Sequence, residues 1–286
     1  MIKILTIGNS FSDNAVKFLE DMSECDKNLK ILIGKANIGG CSLEKHWNLK
    51  KQCDLLPDVK PYNYQKSGSD SIPSNLHDII IDEDWDYITL QQLSNLSYKV
   101  ETYYPYIENL YNYIMELAPQ TNIVLHQTWT YRIDAKFYKE NNLTQKMMFN
   151  MLKSAYDNAA DRLDCPIIPC GYAFQKAREK LNYIPDSDYN FDNPPILKLP
   201  KQKDSLIWGY FWKTGNTASG KPELHLDYRH GNEKGCYLAN AIWYEMFTGK
   251  SIFENDFSPK EISKDMLMML KEIAHKSVIE YGGRLV

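Results

Sequence analysis

Short apolar segments alternate with amphipathic segments through the first two-thirds of the chain. The apolar segments are rich in Ile, Leu, Val and Tyr, as strands buried on both faces are, and they predict strands at 2–7, 29–34, 87–91, 122–126 and 166–169. The amphipathic segments predict helices at 14–24, 43–51, 75–82, 103–117, 143–162 and 172–181. We therefore predict an α/β fold, a three-layer α/β/α sandwich with a central, mostly parallel five-stranded sheet.

Two regions interrupt this alternation. Residues 52–74 hold prolines and a run of Ser, Gly and Asp, and residues 182–223 are rich in Pro, Asp, Asn and aromatic residues. Long segments without periodicity are usually lids or binding loops, so we predict loop insertions at both places. Beyond them, helices are predicted at 232–247, ending at Gly249, and at 259–281. We interpret residues 1–286 as a single domain with these two insertions.

Composition and charge narrow the classes of partner. The 286 residues are 43% hydrophobic and 24% charged, and the formal net charge is −4. A protein that binds nucleic acid or anionic lipid needs a basic face, so no nucleic-acid partner is expected. No apolar run approaches the roughly 20 residues that a helix needs to cross a bilayer, so no membrane insertion is expected either.

Cysteine usage and the start of the chain bear on the environment of the protein. The six cysteines are scattered without a CxxC pair or zinc-ligand spacing, so we expect free thiols. No motif calls for a metal or a cofactor. The chain begins directly with its first predicted strand, and no signal peptide precedes it. A cytoplasmic location is the expectation, whereas the trimmed mature form of a periplasmic or secreted protein would begin in the same way.

A serine follows the first predicted strand, in the sequence Gly8-Asn9-Ser10-Phe11-Ser12. Ligands of open α/β sheets bind at the carboxyl edge of the strands, where this serine lies. A serine in a tight turn before a helix can act as a nucleophile and offer its backbone amide to an oxyanion. The alternative is that Ser10 or Ser12 only caps the helix, because helix starts strongly prefer serine.

An aspartate and a histidine stand three residues apart much further along the chain, at Asp227 and His230. We predict that the pair lies at the start of a helix. There, one turn can hold the carboxylate against one imidazole nitrogen while the other nitrogen faces a nucleophile. An isolated DxxH also occurs as a surface pair with no partner, so the motif is weak by itself.

Four short blocks occur in a fixed order across nearly the whole chain. They read GNS at 8–10, GGCS at 39–42, DYITLQQLSN at 86–95 and DYRH at 227–230. This set resembles the SGNH (GDSL-like) hydrolase superfamily, and the stretches IGNSFS, GGCSLEKHW and LQQ resemble an uncharacterised bacterial branch of it. The resemblance implies the flavodoxin-like SGNH hydrolase fold.

The resemblance also implies a role for each block. Ser10 takes the place of the nucleophile, His230 that of its base and Asp227 that of the residue that orients the base. The oxyanion hole would be formed by the backbone of Ser10, by Gly40 and by the side chain of Asn95. Glycine suits such a position because the backbone can approach a ligand closely.

The match to the family pattern is incomplete. Asn9 stands where Asp is usual in the first block. In the third block, Leu93 stands where Gly is usual and Leu96 where Asp is usual. Gln92 or Ser94 is therefore an alternative oxyanion donor, and we take both as candidate substrate-binding residues.

Aromatic and histidine residues give weaker signals. Trp129 follows the fourth predicted strand, so it is a candidate substrate-binding residue, although a packing role is equally consistent. His46 fits a surface or hydrogen-bonded histidine better than a ligand. The chain holds 20 Tyr and six Trp, and such rings stack on sugars but also fill cores and interfaces. The clusters at 103–106 and 183–212 are the first places where sugar stacking would be expected.

Together these features predict a serine esterase that hydrolyses a short-chain acyl ester, such as acetyl, through an acyl-enzyme intermediate. The expected partner is a small-molecule or glycan ester. A lipid or thioester hydrolase of the same fold is an alternative, and it would need a longer apolar channel. A catalytically silent carbohydrate-binding protein is a second alternative, favoured by the altered third block.

Overall fold

The central sheet has seven strands. The computed structural model describes residues 1–215, 217, 220–282 and 285. In chain order the strands of the sheet are β1 (Ile2–Gly8), β2 (Ile31–Asn37), β3 (Tyr62–Lys66), β4 (Ile72–Ser74), β5 (Tyr87–Leu90), β6 (Asn122–His126) and β7 (Ile167–Ile168). They lie side by side in the order β4-β3-β2-β1-β5-β6-β7.

The five predicted strands form the parallel part of this sheet, from β2 to β7. The predicted number of five is wrong, because β3 and β4 add an antiparallel hairpin at one edge. This hairpin comes from region 52–74, where we expected a loop insertion. Tyr62 and Tyr64 are buried while Asn63 and Gln65 are exposed. This alternation is typical of an antiparallel strand that has one face in contact with solvent.

Helices flank the sheet and complete the predicted three-layer α/β/α fold. They are α1 (Ser10–Ala15), α2 (Leu19–Glu24), α3 (Leu43–Leu55), α4 (Leu76–Ile80), α5 (Tyr106–Leu117), α6 (Lys136–Glu140), α7 (Gln145–Leu163), α8 (Cys170–Leu181), α9 (Glu233–Thr248) and α10 (Lys264–Ser277). Short 3₁₀ turns lie at Val100–Thr102 and Ile252–Glu254, and a π turn at Val278–Gly282 follows α10.

Two helix boundaries differ from those that the pattern predicts. The predicted helix 14–24 is split into α1 and α2, and in the break the backbone N–H of Phe18 donates to Asn240 Oδ1 on α9, 2.9 Å away. The predicted helix 259–281 begins later, because the side chain of Ser263 caps α10 by accepting from Met266 N. The helix α9 is the core helix, and every residue of it from 235 to 247 is buried.

A second, two-stranded sheet carries the Asp-His pair. It is an antiparallel hairpin of β8 (Ile207–Lys213) and β9 (Glu223–Gly231). The strand β8 lies inside region 182–223, which we expected to be a loop insertion. The prediction that Asp227 and His230 open a helix is wrong, since both lie on β9 and α9 begins only at Glu233.

Two expectations from composition can be compared with the structure. All six cysteines are free, as predicted. Across the described ranges, no helix combines the length and the apolar character that a membrane span requires.

Candidate active site

Ser10 is the first residue of α1, directly beyond the end of β1. The helix is capped by Asn9 and not by a serine, because Asn9 Oδ1 accepts from Phe11 N at 3.1 Å. The hydroxyl of Ser10 is therefore not used as a cap, and its Oγ lies 2.8 Å from His230 Nε2. A side chain at Gly8 would not fit this turn, since its Cβ would lie 2.5 Å from Ser12 Oγ.

The imidazole of His230 connects Ser10 to Asp227. His230 Nδ1 lies 2.8 Å from Asp227 Oδ2, and Asp227 Oδ1 accepts from the backbone N–H groups of Arg229 and His230, both at 3.1 Å. Because a carboxylate only accepts, Nδ1 carries the proton and Nε2 is free to accept from the serine hydroxyl. The geometry is that of a nucleophile, a base and a residue that fixes the tautomer of the base.

The surroundings of the Asp227 carboxyl favour its charged form. Burial raises its pKa, but the hydrogen bonds from the His230 ring and from the backbone of His230 and Arg229 outweigh burial and leave the pKa below its usual value. An ionised Asp227 stabilises the imidazolium that forms when His230 takes a proton.

A bulge in β9 brings the aspartate and the histidine together. Ile207 pairs with Gly231 and Gly209 pairs with Asp227, so residues 228–230 of β9 stand opposite the single residue 208 of β8. In a regular strand, residues three apart would point to opposite faces. The extra residues curl the backbone so that both side chains meet, which is a common use of bulges near active sites.

Three hydrogen bonds from the main body hold this bulge in place. Trp129 Nε1 donates to Arg229 O at 2.9 Å, Arg132 N donates to Tyr228 O at 2.8 Å, and Gly231 N donates to Asn14 Oδ1 at 2.9 Å. The last of these bonds comes from α1, the helix that Ser10 begins. The position of the histidine is thereby tied to the position of the serine.

Trp129 is placed inside the protein, where it packs and does not face the groove. Its side chain is fully buried, stacked on Phe174 with ring centroids 4.3 Å apart and against Phe11 at 4.5 Å. The structure thus gives no support to our interpretation of Trp129 as a substrate contact. Its N–H instead fixes the carbonyl of Arg229, the residue between Tyr228 and His230.

The polar groups of Gln92 and Ser94 are also occupied by the protein. Gln92 is buried, its Oε1 accepts from Leu43 N and its Nε2 donates to Thr102 O. The buried Ser94 hydroxyl is hydrogen-bonded to Tyr131 Oη at 2.9 Å. Neither side chain is available as the substrate-binding or oxyanion donor that the sequence suggested, which leaves Asn95 as the candidate from the third block.

The loops that carry Gly40 and Asn95 follow the two strands next to β1. The strands β2 and β5 flank β1 in parallel, and the loops after all three strands leave the same edge of the sheet. Gly40 follows β2 in an exposed turn with φ of 65°, a conformation that favours glycine, and Asn95 is exposed in the turn after β5. Their role as oxyanion donors stays a prediction.

A buried network that the sequence did not reveal joins these three strand ends. Gln91 Nε2 donates to Asn9 Oδ1 at 2.7 Å, and Gln91 Oε1 accepts from Ser12 Oγ at 2.5 Å and from His126 Nδ1 at 3.0 Å. Asn9 Nδ2 in turn donates to Cys41 O at 2.9 Å. The signal in the sequence was the polar residue that directly follows the apolar strand at Leu90.

His46 is hydrogen-bonded on both ring nitrogens. Its Nε2 lies 3.0 Å from Gly8 O and its Nδ1 lies 2.9 Å from Tyr62 Oη. The sequence left open whether His46 is a surface residue or a hydrogen-bonded one, and the structure shows that it is buried and hydrogen-bonded. Complete burial lowers the pKa of His46 to about 4, so the ring is neutral and donates to the carbonyl just before the Asn9-Ser10 turn.

A shallow groove lies on the hairpin beside the histidine. Its volume is about 230 Å³, and it is lined by Phe211 and by residues 225–230. Both Asp227 and His230 reach this groove, so a ligand held there would lie next to the base. Among the described residues, no group of three or more His, Cys, Asp or Glu side chains is arranged to hold a metal ion.

The fold and this arrangement define a class: an α/β/α protein with a serine, a histidine and an aspartate joined at the carboxyl edge of its parallel sheet. Residues 3–195 match the family model described as "Domain of unknown function (DUF4886)", and the chain belongs to this family. The matched residues include Ser10, Gly40 and Asn95 and end before Asp227 and His230.

Solved structures extend the comparison to the whole chain. The crystal structure of a DUF4886 family protein from Bacteroides uniformis is 27% identical, with a TM-score of 0.74 over 99% of this chain and 98% of that chain. A proposed SGNH hydrolase from Slackia heliotrinireducens is 19% identical, with a TM-score of 0.45 over 68% of this chain and 90% of that one.

One more solved structure is similar to this chain, at low identity. An acetylxylan esterase from Geobacillus stearothermophilus is 14% identical, with a TM-score of 0.39 over 68% of this chain and 87% of that one. Scores below 0.5 are too low to assign an activity to this chain. The chain has no match among curated proteins.

Proposed function

We propose that this chain is a serine esterase of the SGNH type that hydrolyses a short-chain acyl ester, such as acetyl, carried by a carbohydrate. One observation carries the proposal: Ser10 Oγ lies 2.8 Å from His230 Nε2, and His230 Nδ1 lies 2.8 Å from Asp227 Oδ2. These distances are within hydrogen-bond reach for a nucleophile, its base and the group that orients the base.

The reaction follows from these contacts in two halves. His230 takes the proton of Ser10 as Oγ attacks the ester carbonyl, and the same proton then passes to the leaving alcohol, which gives an acyl-serine. Water, deprotonated by His230, attacks the acyl-serine and releases the acid, while Asp227 stabilises the imidazolium in both halves. The developing oxyanion would be bound by the backbone N–H groups of Ser10 and Gly40 and by the Asn95 side chain.

The size and lining of the groove support a short acyl group and a sugar. The groove that Asp227 and His230 line measures about 230 Å³, less than the roughly 300–1,000 Å³ of pockets that enclose drug-sized ligands, which agrees with a small ligand beside the base. Phe211 is 44% exposed at this groove, and an exposed aromatic ring offers a stacking face to a sugar.

The test is an ester series with wild type and Ser10→Ala. We expect wild type to hydrolyse p-nitrophenyl acetate faster than p-nitrophenyl octanoate, and Ser10→Ala to lose on the order of 10⁴-fold or more in kcat. A panel of acetylated polysaccharides, assayed for released acetate, then identifies the alcohol. Equal rates in wild type and Ser10→Ala would show that Ser10 is not the nucleophile.

A further inference from the structure

One cationic residue, Arg229, stands between Asp227 and His230 in the sequence. Arg229 occupies the bulge of β9, and its Nη2 donates to Tyr228 Oη at 2.5 Å. The guanidinium carbon lies 4.7 Å from the centre of the Tyr228 ring and 5.9 Å from that of Tyr131. Two aromatic rings and one hydroxyl therefore hold the guanidinium in a defined position.

The backbone of Arg229 is equally well fixed. Its N–H donates to Asp227 Oδ1 at 3.1 Å, and its carbonyl accepts from Trp129 Nε1 at 2.9 Å. Tyr131, one of the rings under the guanidinium, is hydrogen-bonded to Ser94, the residue before Asn95. The cation thus lies between the hairpin that carries His230 and the loop that carries Asn95.

Arg229 has no counter-ion within the part of the chain that the structure describes. Two other arginines do have one: Arg132 pairs with Asp134 at 2.8 Å, and Arg162 pairs with Glu108. Asp227 contacts Arg229 only through the backbone N–H of Arg229, and its other carboxylate oxygen is paired with His230. The residues that line the groove therefore include a guanidinium whose planar fork is unused by any carboxylate.

We propose that Arg229 binds a carboxylate of the substrate, so that the ester attacked by Ser10 is an anionic one. This inference rests on the proposed esterase function and narrows its substrate class. The carboxylate can belong to either half of the ester. It lies on the alcohol side if the sugar is a uronic acid, and on the acyl side if the acyl group derives from a dicarboxylic acid.

Two matched pairs of esters distinguish these sources. On the alcohol side, acetylated methyl glucuronoside is compared with acetylated methyl glucoside. On the acyl side, p-nitrophenyl hemisuccinate is compared with p-nitrophenyl butyrate. In wild type we expect one charged ester to be preferred over its neutral partner, and the preference should fall as salt is raised.

The decisive variant is Arg229→Gln. Charge-assisted hydrogen bonds of this kind correspond to about 10- to 100-fold in kcat/KM, so the ratio of charged to neutral ester should fall by that factor. Arg229→Lys should keep part of the ratio, because it keeps the charge and loses the fork. Arg162→Gln, which removes an exposed arginine on α7, is the matched control and should leave the ratio as in wild type.

A charged-to-neutral ratio that is the same in wild type and Arg229→Gln overturns the proposal. Thermal unfolding shows whether Arg229→Gln folds; if it does not, Arg229→Lys and the salt dependence of the wild-type ratio decide. Should wild type hydrolyse none of the four esters in a Ser10-dependent manner, the esterase function fails separately. Calorimetric titration of succinate and methyl glucuronoside then judges Arg229 alone, and binding that is absent, or unchanged in Arg229→Gln, overturns its role.

Discussion

At the scale of single residues, the site depends on an amide that never reaches the solvent. The side chain of Gln91 contacts Asn9, Ser12 and His126 together. Asn9 extends this network to the next loop, because its Nδ2 donates to Cys41 O, next to Gly40. Ser10 and Gly40 supply the two backbone donors of the proposed oxyanion hole. Gln91, directly after β5, therefore fixes the position of these two amides relative to each other.

Gln91→Leu tests this positioning role. The change removes the bond from Gln91 to Asn9 and leaves the buried Ser12 hydroxyl and His126 Nδ1 without their acceptor, which should cost on the order of 1–3 kcal/mol of stability. It should also lower kcat by about 10-fold or more while KM stays within about threefold, since oxyanion donors act mainly in the transition state. Steady-state kinetics on p-nitrophenyl acetate measures both constants.

Gln127→Leu is the matched control for Gln91→Leu. Gln127 is also buried, its Oε1 accepts from Tyr172 N and its Nε2 donates to Tyr281 Oη, away from Asn9 and Ser12. We expect it to lower the free energy of unfolding by a similar amount and to leave kcat unchanged. If both variants lose kcat equally, the effect is one of general stability and Gln91 has no positioning role.

At the scale of elements, the bulge of β9 brings the aspartate and the histidine of the DxxH sequence into contact. Trp129→Phe probes it, because the variant keeps an aromatic ring in the core and removes the N–H that holds Arg229 O together with part of the buried indole. We expect kcat to fall by about 10-fold, with a loss of stability of roughly 1 kcal/mol from the broken hydrogen bond.

The same chemical change far from the hairpin serves as the comparison. Trp85 is also fully buried, and its Nε1 donates to Ile79 O at 3.2 Å. Trp85→Phe should reduce stability and leave kcat as in wild type. A kcat for Trp129→Phe that matches the value for Trp85→Phe would contradict the role of the indole N–H.

The contrast between β1 and the two hairpins shows what the sequence could predict. Strands such as β1 and β6 are buried on both faces, so their apolar character was visible in the chain itself. The strand β3 is only partly buried, and its polar positions resembled loop sequence, whereas β9 is partly buried along most of its length and we predicted its Asp-His pair at the start of a helix. Ser10, Asp227 and His230 were found from motif order, whereas Gln91 and the packing of Trp129 depend on partners remote in sequence, such as Asn9 and Phe174.

At the scale of the whole molecule, two buried histidines make folding sensitive to acid. Complete burial lowers the pKa of His46 to about 4 and that of His126 to about 3. Below the unfolded value of about 6.5, the unfolded chain takes up protons that the folded chain refuses. Stability is therefore fully present above about pH 6.5 and is lost as the pH falls towards 4, by on the order of 3 kcal/mol for each histidine.

Urea unfolding at a series of pH values between 7 and about 4 measures this loss. His46→Gln can still donate to Gly8 O and accept from Tyr62 Oη, but it does not titrate, so its stability should fall less steeply with pH than that of wild type. His77→Gln, at an exposed histidine on α4, is the control and should follow the wild-type profile. A wild-type stability that is flat over this range would contradict the prediction.

The serine and its two partners belong to separate units of the fold, since Ser10 follows the seven-stranded sheet while Asp227 and His230 lie on a two-stranded hairpin. An isolated hairpin is marginally stable, so this one persists only while it is anchored to the body. The rate of turnover therefore reports whether the hairpin is still anchored to the body. We expect enzymatic activity to vanish at lower urea concentration than the far-UV circular dichroism of the helices changes, and the amides of β8 and β9 to exchange with deuterium before those of β1. Coincident loss of activity and helical signal would mean that the hairpin and the sheet unfold as one unit.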